Sequence, residues 1–215
     1  MADHDAVLFD LDGVLVDSRV PFARGVNSAL NSQGLPPRPE HELHQYLGPP
    51  LHRTFQALVS EELLVQPCVD SYRARYRELA ASETTIFPGI PEILDSLSDQ
   101  LPLVIATSKP RALAEPLLES LDLRRFFTAV IGPELDSENE QKAITIGRAM
   151  HQFAPKAHPI MVGDRKHDIT AAHEHDIPAI GVLWGIGSEK ELRTAGADAL
   201  AHTPAELATL LTPSR

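Results

Sequence analysis

The chain alternates short apolar runs with amphipathic stretches. Ala6–Phe9 is apolar throughout and lacks helical spacing, which predicts a buried strand. Similar runs recur at 102–106, 129–131, 159–162 and 179–183, with a weaker one at 198–201. Between and after them, residues 90–97, 112–121, 141–150, 168–174 and 205–211 carry apolar side chains at helical spacing. Strands and helices alternating at these lengths predict an α/β fold, a mostly parallel sheet with helices on both faces.

One segment breaks the alternation. From 17 to 83 the pattern is helical, punctuated by Pro and Gly, with no convincing strand. Helices are predicted over 20–32, 51–64 and 67–79, separated by Gly34-Leu35-Pro36-Pro37-Arg38-Pro39 and by Gly48-Pro49-Pro50. We therefore expect a small helical unit, residues 17–83, inserted after the first strand of a core made of residues 1–16 and 84–215.

Charge narrows the class of partner. A net charge of -11 and a pI of about 5.3 disfavour nucleic acid and acidic membranes, but leave open a small anion held by a local positive field. No apolar stretch approaches the ~20 residues that span a bilayer. The polar start, Met-Ala-Asp-His-Asp, does not read as a signal peptide. Cys68 is the sole cysteine, so no disulfide forms within the chain, and a reducing, cytoplasmic setting is expected.

In open parallel sheets, ligands bind beyond the carboxyl ends of the strands. The residues just past the apolar runs are Asp10-Leu11-Asp12, Thr107-Ser108-Lys109 and Gly163-Asp164. Carboxylates, hydroxyls and a lysine are a palette for metal and phosphate. Asp10 and Asp12 repel one another, which points to a bound cation or to separate nucleophile and acid roles, or else to plain surface acids. Asp168 lies one helical turn beyond Asp164 and can face the same site, although an acid there also suits a helix cap. Lys109 either binds phosphate or faces solvent. Ten histidines invite a zinc reading, but His173 and His175 are two apart on a helix and point to different sides.

Taken together, these residues resemble the phosphatases of the haloacid dehalogenase superfamily. Asp10-Leu11-Asp12-Gly13-Val14 matches the first family motif and Thr107 the second. Lys142, opening a later helix, matches the third, and Gly163-Asp164 with Asp168 the fourth. Phe87-Pro88-Gly89, Leu47-Gly48-Pro49-Pro50-Leu51 and Gly181-Val182-Leu183-Trp184-Gly185 are similar to segments of the phosphoglycolate-phosphatase-like and nucleotidase-like branch. The resemblance implies a Rossmann-like core with a helical cap, and a Mg²⁺-dependent phosphatase acting on a small phosphorylated metabolite.

The same resemblance implies roles. Asp10 is the nucleophile that forms an aspartyl-phosphate, and Asp12 the acid and then the base. Thr107, Ser108 and Lys142 hold the phosphoryl oxygens. Mg²⁺ is held by the Asp10 and Asp164 side chains and the Asp12 carbonyl, with Asp168 orienting Lys142 or a water. Gly48 and Arg53 are candidates for meeting the substrate from the cap. A phosphosugar mutase shares this chemistry and is the main alternative. A phosphonate hydrolase needs a lysine in the cap, and none occurs from 17 to 83. A non-catalytic module that kept the fold is the rival from another class.

Overall fold

A computed structural model of the chain describes residues 4–135, 137 and 140–212. Within them the elements run β1 (Ala6–Phe9), β2 (Val16–Asp17), α1 (Arg19–Ser32), α2 (Glu40–Leu43), α3 (Leu51–Leu58), α4 (Val65–Glu83), β3 (Thr85–Ile86), α5 (Ile90–Ser98), β4 (Leu103–Ala106), α6 (Arg111–Ser120), β5 (Ala129–Ile131), α7 (Lys142–Met150), β6 (Pro159–Gly163), α8 (Lys166–His173), β7 (Ala179–Val182), α9 (Glu189–Thr194), β8 (Ala199–Ala201) and α10 (Pro204–Leu211).

Six strands form one sheet in the order β5-β4-β1-β6-β7-β8, and every pairing in it is parallel. The strands read as unbroken apolar runs because both faces are covered. Val7, Phe9, Ile105 and Val162 pack on one side with α5, α6 and α10. Leu8, Val104 and Met161 pack on the other with α7, α8 and α9. The predicted α/β core is present.

The segment after β1 is helical, as expected, with differences that have local causes. The predicted helix over 51–64 is two pieces: α3 stops at Leu58, Val59 is extended, and Glu62–Leu64 is a separate 3-10 turn. Val59 is β-branched and Ser60 has weak helix propensity, so this stretch is a natural break. Pro67 sits in the first turn of α4, where its missing N–H costs nothing. Two strands went unread. β2 and β3 pair antiparallel, Val16 with Ile86 and Asp17 with Thr85. They zip together the two chain crossings into and out of the helical insertion, and at two residues each they are too short to show a period. Among the described residues no helix is long and apolar enough to cross a membrane.

Helices α1 and α4 pack against each other through Phe22, Val26, Cys68 and Tyr72, and their core runs on into the sheet's own. Cys68 is thus a packing residue. A polar contact also ties the insertion to the core. The guanidinium of Arg165, just beyond β6, donates to the Leu47 carbonyl at 3.0 Å and to Glu191 at 3.0 Å. Replacing it, as in Arg165→Met, is expected to cost about 1–3 kcal/mol, a Tm loss of a few degrees. Limited proteolysis of the 33–50 segment should speed up in parallel, and an unchanged cleavage rate would show that the contact does not hold the insertion down.

Candidate active site

Strand β1 lies between β4 and β6, at the point where the chain's connections diverge to the two sides of the sheet. Asp10, Thr107 and Asp164 each follow directly on one of these three neighbouring strands. Adjacent strands are about 4.8 Å apart, so their first side chains past the sheet converge. The Asp10 N–H continues the ladder to the Val162 carbonyl at 2.9 Å, and the Thr107 N–H does so to Ile131 at 2.9 Å. Asp10, Thr107 and Asp164 are all buried.

Asp10, Asp164 and Asp168 each offer a carboxylate oxygen within 4.8 Å of the others. Lys142, the first residue of α7, answers them. Its ammonium lies 2.7 Å from Asp10 Oδ1 and 2.8 Å from Asp168 Oδ1. A lysine at a helix N-terminus opposes the helix dipole, so its position owes more to these acids than to the helix. Burial lowers the affinity of Lys142 for its proton, but Asp10 and Asp168 reverse this and hold the pKa above the ordinary lysine value. Burial pushes Asp10 up from 3.8 to about 6, against the pull of Lys142. Burial, then Asp168, raises Asp164 well above the carboxylate range.

Asp168 answers both readings of its position. Its Oδ2 accepts the Arg165 N–H at 3.1 Å, capping α8, while its Oδ1 pairs with Lys142. Asp164 is gripped closely. Ile186 N–H donates to its Oδ2 at 2.7 Å. Gly13, at φ +85°, and Gly185 leave room for its carboxylate, and a Cβ on either would collide with it. Trp184 packs beside this loop and donates its indole N–H to the Val14 carbonyl at 3.0 Å.

Asp12 points elsewhere. Lys109 Nζ donates to its Oδ1 at 2.7 Å and Oδ2 at 2.6 Å, and Ser18 donates to Oδ1. Lys109 therefore does not face solvent; it lines the cavity beside Thr107 and Ser108. It is buried, away from solvent, and its third donor goes to the Tyr76 hydroxyl at 2.8 Å. Burial lowers its pKa, but the Asp12 charge more than offsets this and holds the ammonium above the usual lysine range.

A cavity of about 100 Å³ opens over Asp10 and Asp12. Thr107, Ser108 and Gly48 line it, and Tyr76 and Arg73 close it from α4. Arg53 is exposed and lines a second cavity of about 230 Å³, which reaches Lys142 from the other side of Gly48-Pro49-Pro50. Of the two arginines, Arg73 rather than Arg53 shares the space of Asp10. The histidines form no metal cluster among the described residues: His173 pairs with Asp198 at 3.0 Å and His175 meets the Ala143 carbonyl at 2.8 Å.

Residues 7–182 match the family model of haloacid dehalogenase-like hydrolases. The chain belongs to this family. It is 37% identical over 95% of its length to a 5'-nucleotidase of Pseudomonas aeruginosa, covering 92% of that protein. A phosphoglycolate phosphatase of Chromobacterium violaceum is 33% identical, with 96% of each chain covered. Among solved structures, a predicted phosphatase from Clostridium acetobutylicum superposes with a TM-score of 0.90 at 33% identity, covering 98% of this chain and 99% of that one.

The family member described here has a site whose donors suit a hard divalent cation, which prefers oxygen ligands. Asp164 Oδ1 is buried without a hydrogen-bond partner, an acceptor aimed among other acceptors. Such an atom is costly unless a cation meets it. Because the folded-state pKa of Asp10 is raised, its contribution favours folding below about pH 4 and is lost as pH rises through about 6. Metal-free Asp164→Asn protein is thus expected to melt higher than wild type at pH 7.5, with the gap shrinking toward pH 4.5. Thermal denaturation at both pH values checks this, and an Asp164→Asn protein less stable than wild type at pH 7.5 contradicts it.

Proposed function

We propose that the protein is a phosphatase that hydrolyses a small phosphate monoester through an aspartyl-phosphate on Asp10, with Mg²⁺ as cofactor. The observation that carries this is the Asp10 carboxylate, held by Lys142 at 2.7 Å inside a buried cluster of acids and lining a cavity. When bound by Asp10 and Asp164, with the Asp12 carbonyl or Asp168 beside them, Mg²⁺ would supply the positive charge that lets a carboxylate approach a phosphate dianion. Asp10 then attacks phosphorus. Asp12 gives a proton to the departing oxygen, and afterwards takes one from the water that frees Asp10. Thr107, Ser108 and Lys142 meet the phosphoryl oxygens, where charge must be stabilised in transfer.

In this reading residues 17–83 act as a cap over a core of residues 1–16 and 84–215, and the β2–β3 ribbon is where the two meet. The cavity over Asp10 is open to solvent on one side. Arg73 is a cation in its wall, placed to meet a substrate's anionic body. A cytoplasmic setting fits a chain whose one cysteine is buried and unpaired.

Purified protein with Mg²⁺ is expected to release phosphate from at least one member of a panel of phosphoglycolate, 5'-nucleotides and sugar phosphates. Asp10→Asn should lower kcat by roughly a thousandfold or more. An Asp10→Asn protein as fast as wild type refutes the nucleophile. A sugar phosphate returned with its phosphate moved, and no free phosphate, would instead mark a mutase.

A further inference from the structure

The ammonium of Lys109 has three donors, and all three are used. Two go to the two oxygens of Asp12, at 2.7 and 2.6 Å, and one to the hydroxyl of Tyr76 at 2.8 Å. No donor is left for a ligand while this arrangement holds. Lys109 follows β4 in the core, whereas Tyr76 lies on α4 in the insertion. The contact therefore crosses between the two parts of the molecule and ends on a carboxylate that faces the cavity.

Tyr76 is itself held firmly. Its ring stacks on Tyr72 with centroids 4.8 Å apart and planes at 16°. Tyr72 in turn meets Phe22 and Phe55 edge-on at 6.0 and 6.3 Å. The Lys109 ammonium also lies 5.0 Å from the Tyr76 ring centre, within reach of a cation–π attraction. An aromatic stack inside the insertion thus fixes the hydroxyl, the hydroxyl fixes the ammonium, and the ammonium with Ser18 fixes both oxygens of Asp12. Ser18 stands immediately before α1, just past the β2 crossing, and its hydroxyl goes to Asp12 and not to the helix.

We infer that Tyr76 is a positioning residue for catalysis: through Lys109 it sets the Asp12 carboxyl in its working orientation, and does so only while the insertion is closed on the core. The inference rests on the proposed role of Asp12 as acid and base. Movement of α4 away from the core breaks the Tyr76–Lys109 bond, and with it the contact of Tyr76 with Ser18. Asp12 then keeps only a mobile lysine and Ser18. Proton delivery to the leaving oxygen is in this way tied to closure, when the cavity holds substrate and excludes bulk water.

The step that depends on Asp12 is departure of the leaving group, so the test compares two esters. p-Nitrophenolate leaves without help, whereas phenolate leaves slowly unless it is protonated. For Tyr76→Phe, which removes one oxygen, kcat/KM should fall about tenfold more with phenyl phosphate than with p-nitrophenyl phosphate, a fraction of the effect of losing an acid outright. Lys109→Met should show the same bias, and the double variant should be no worse than Lys109→Met alone. Melting curves confirm that each variant is folded, and Tyr76→Phe by itself carries the leaving-group comparison should Lys109→Met fail to fold. Equal losses with both esters in Tyr76→Phe, or losses that multiply in the double variant, would overturn the inference. Asp12→Asn is measured alongside. A strong leaving-group bias in Asp12→Asn with none in Tyr76→Phe sinks the relay alone, while no bias in either sinks the acid role of Asp12 and the relay with it.

Discussion

Three buried carboxylates share a space in which one lysine is the cation paired with two of them. Asp10, Asp164 and Asp168 lie within 4.8 Å of one another, and Lys142 reaches two of them. Fully ionised, the group would carry two uncompensated negative charges away from water, an arrangement that is strongly unfavourable. Protonation relieves it in part, which is why burial holds Asp10 up at about 6 and Asp164 well above its ordinary value. A divalent cation relieves it fully. The fold tolerates this cluster because the large apolar clusters on both faces of the sheet stabilise the chain elsewhere, and the site spends some of that stability on being ready for a cation.

The sheet makes such crowding unavoidable. Parallel strands all deliver their next residue at the same edge, and β1, β4 and β6 are neighbours there. An acid after β1 and another after β6 must therefore meet, one strand spacing apart. The loop after β7 then folds over Asp164, with Gly185 giving it room and the Ile186 N–H giving it a donor. The helical insertion leaves from the end of the same β1 segment and returns beside it through the β2–β3 ribbon. Whatever moves the insertion thus moves against the reacting end of the sheet.

This geometry also explains what could be read from the sequence. Asp10, Thr107 and Asp164 stand out because each follows an apolar run, a signal that is local. Lys142 has no such marker: it stands at the head of an ordinary amphipathic helix, and only likeness to a family singles it out. Lys109 shows the limit. Its partner Tyr76 lies 33 residues upstream, and nothing local to α4 tells which of its faces meets β4. Arg53 stands out in the sequence by following Gly48-Pro49-Pro50, whereas Arg73 has no such marker, and only the packing of α4 brings Arg73 to the cavity of Asp10. Helix α9 shows no apolar period because only Leu192 among its six residues is buried.

Asp10 and Asp12 are two residues apart, yet they have separate cations and separate dependencies. Asp10 answers to Lys142, and both belong to the core, so its surroundings persist however the insertion moves. Asp12 answers to Lys109, whose remaining bond lies across the boundary. A nucleophile benefits from constancy, since its orientation toward phosphorus must be right whenever substrate arrives. A proton donor benefits from being conditional, because delivery before the site has closed would serve water as readily as the leaving group. The sequence Asp-Leu-Asp supports both demands by turning its two acids toward different lysines, one bonded within the core and one bonded also to the insertion.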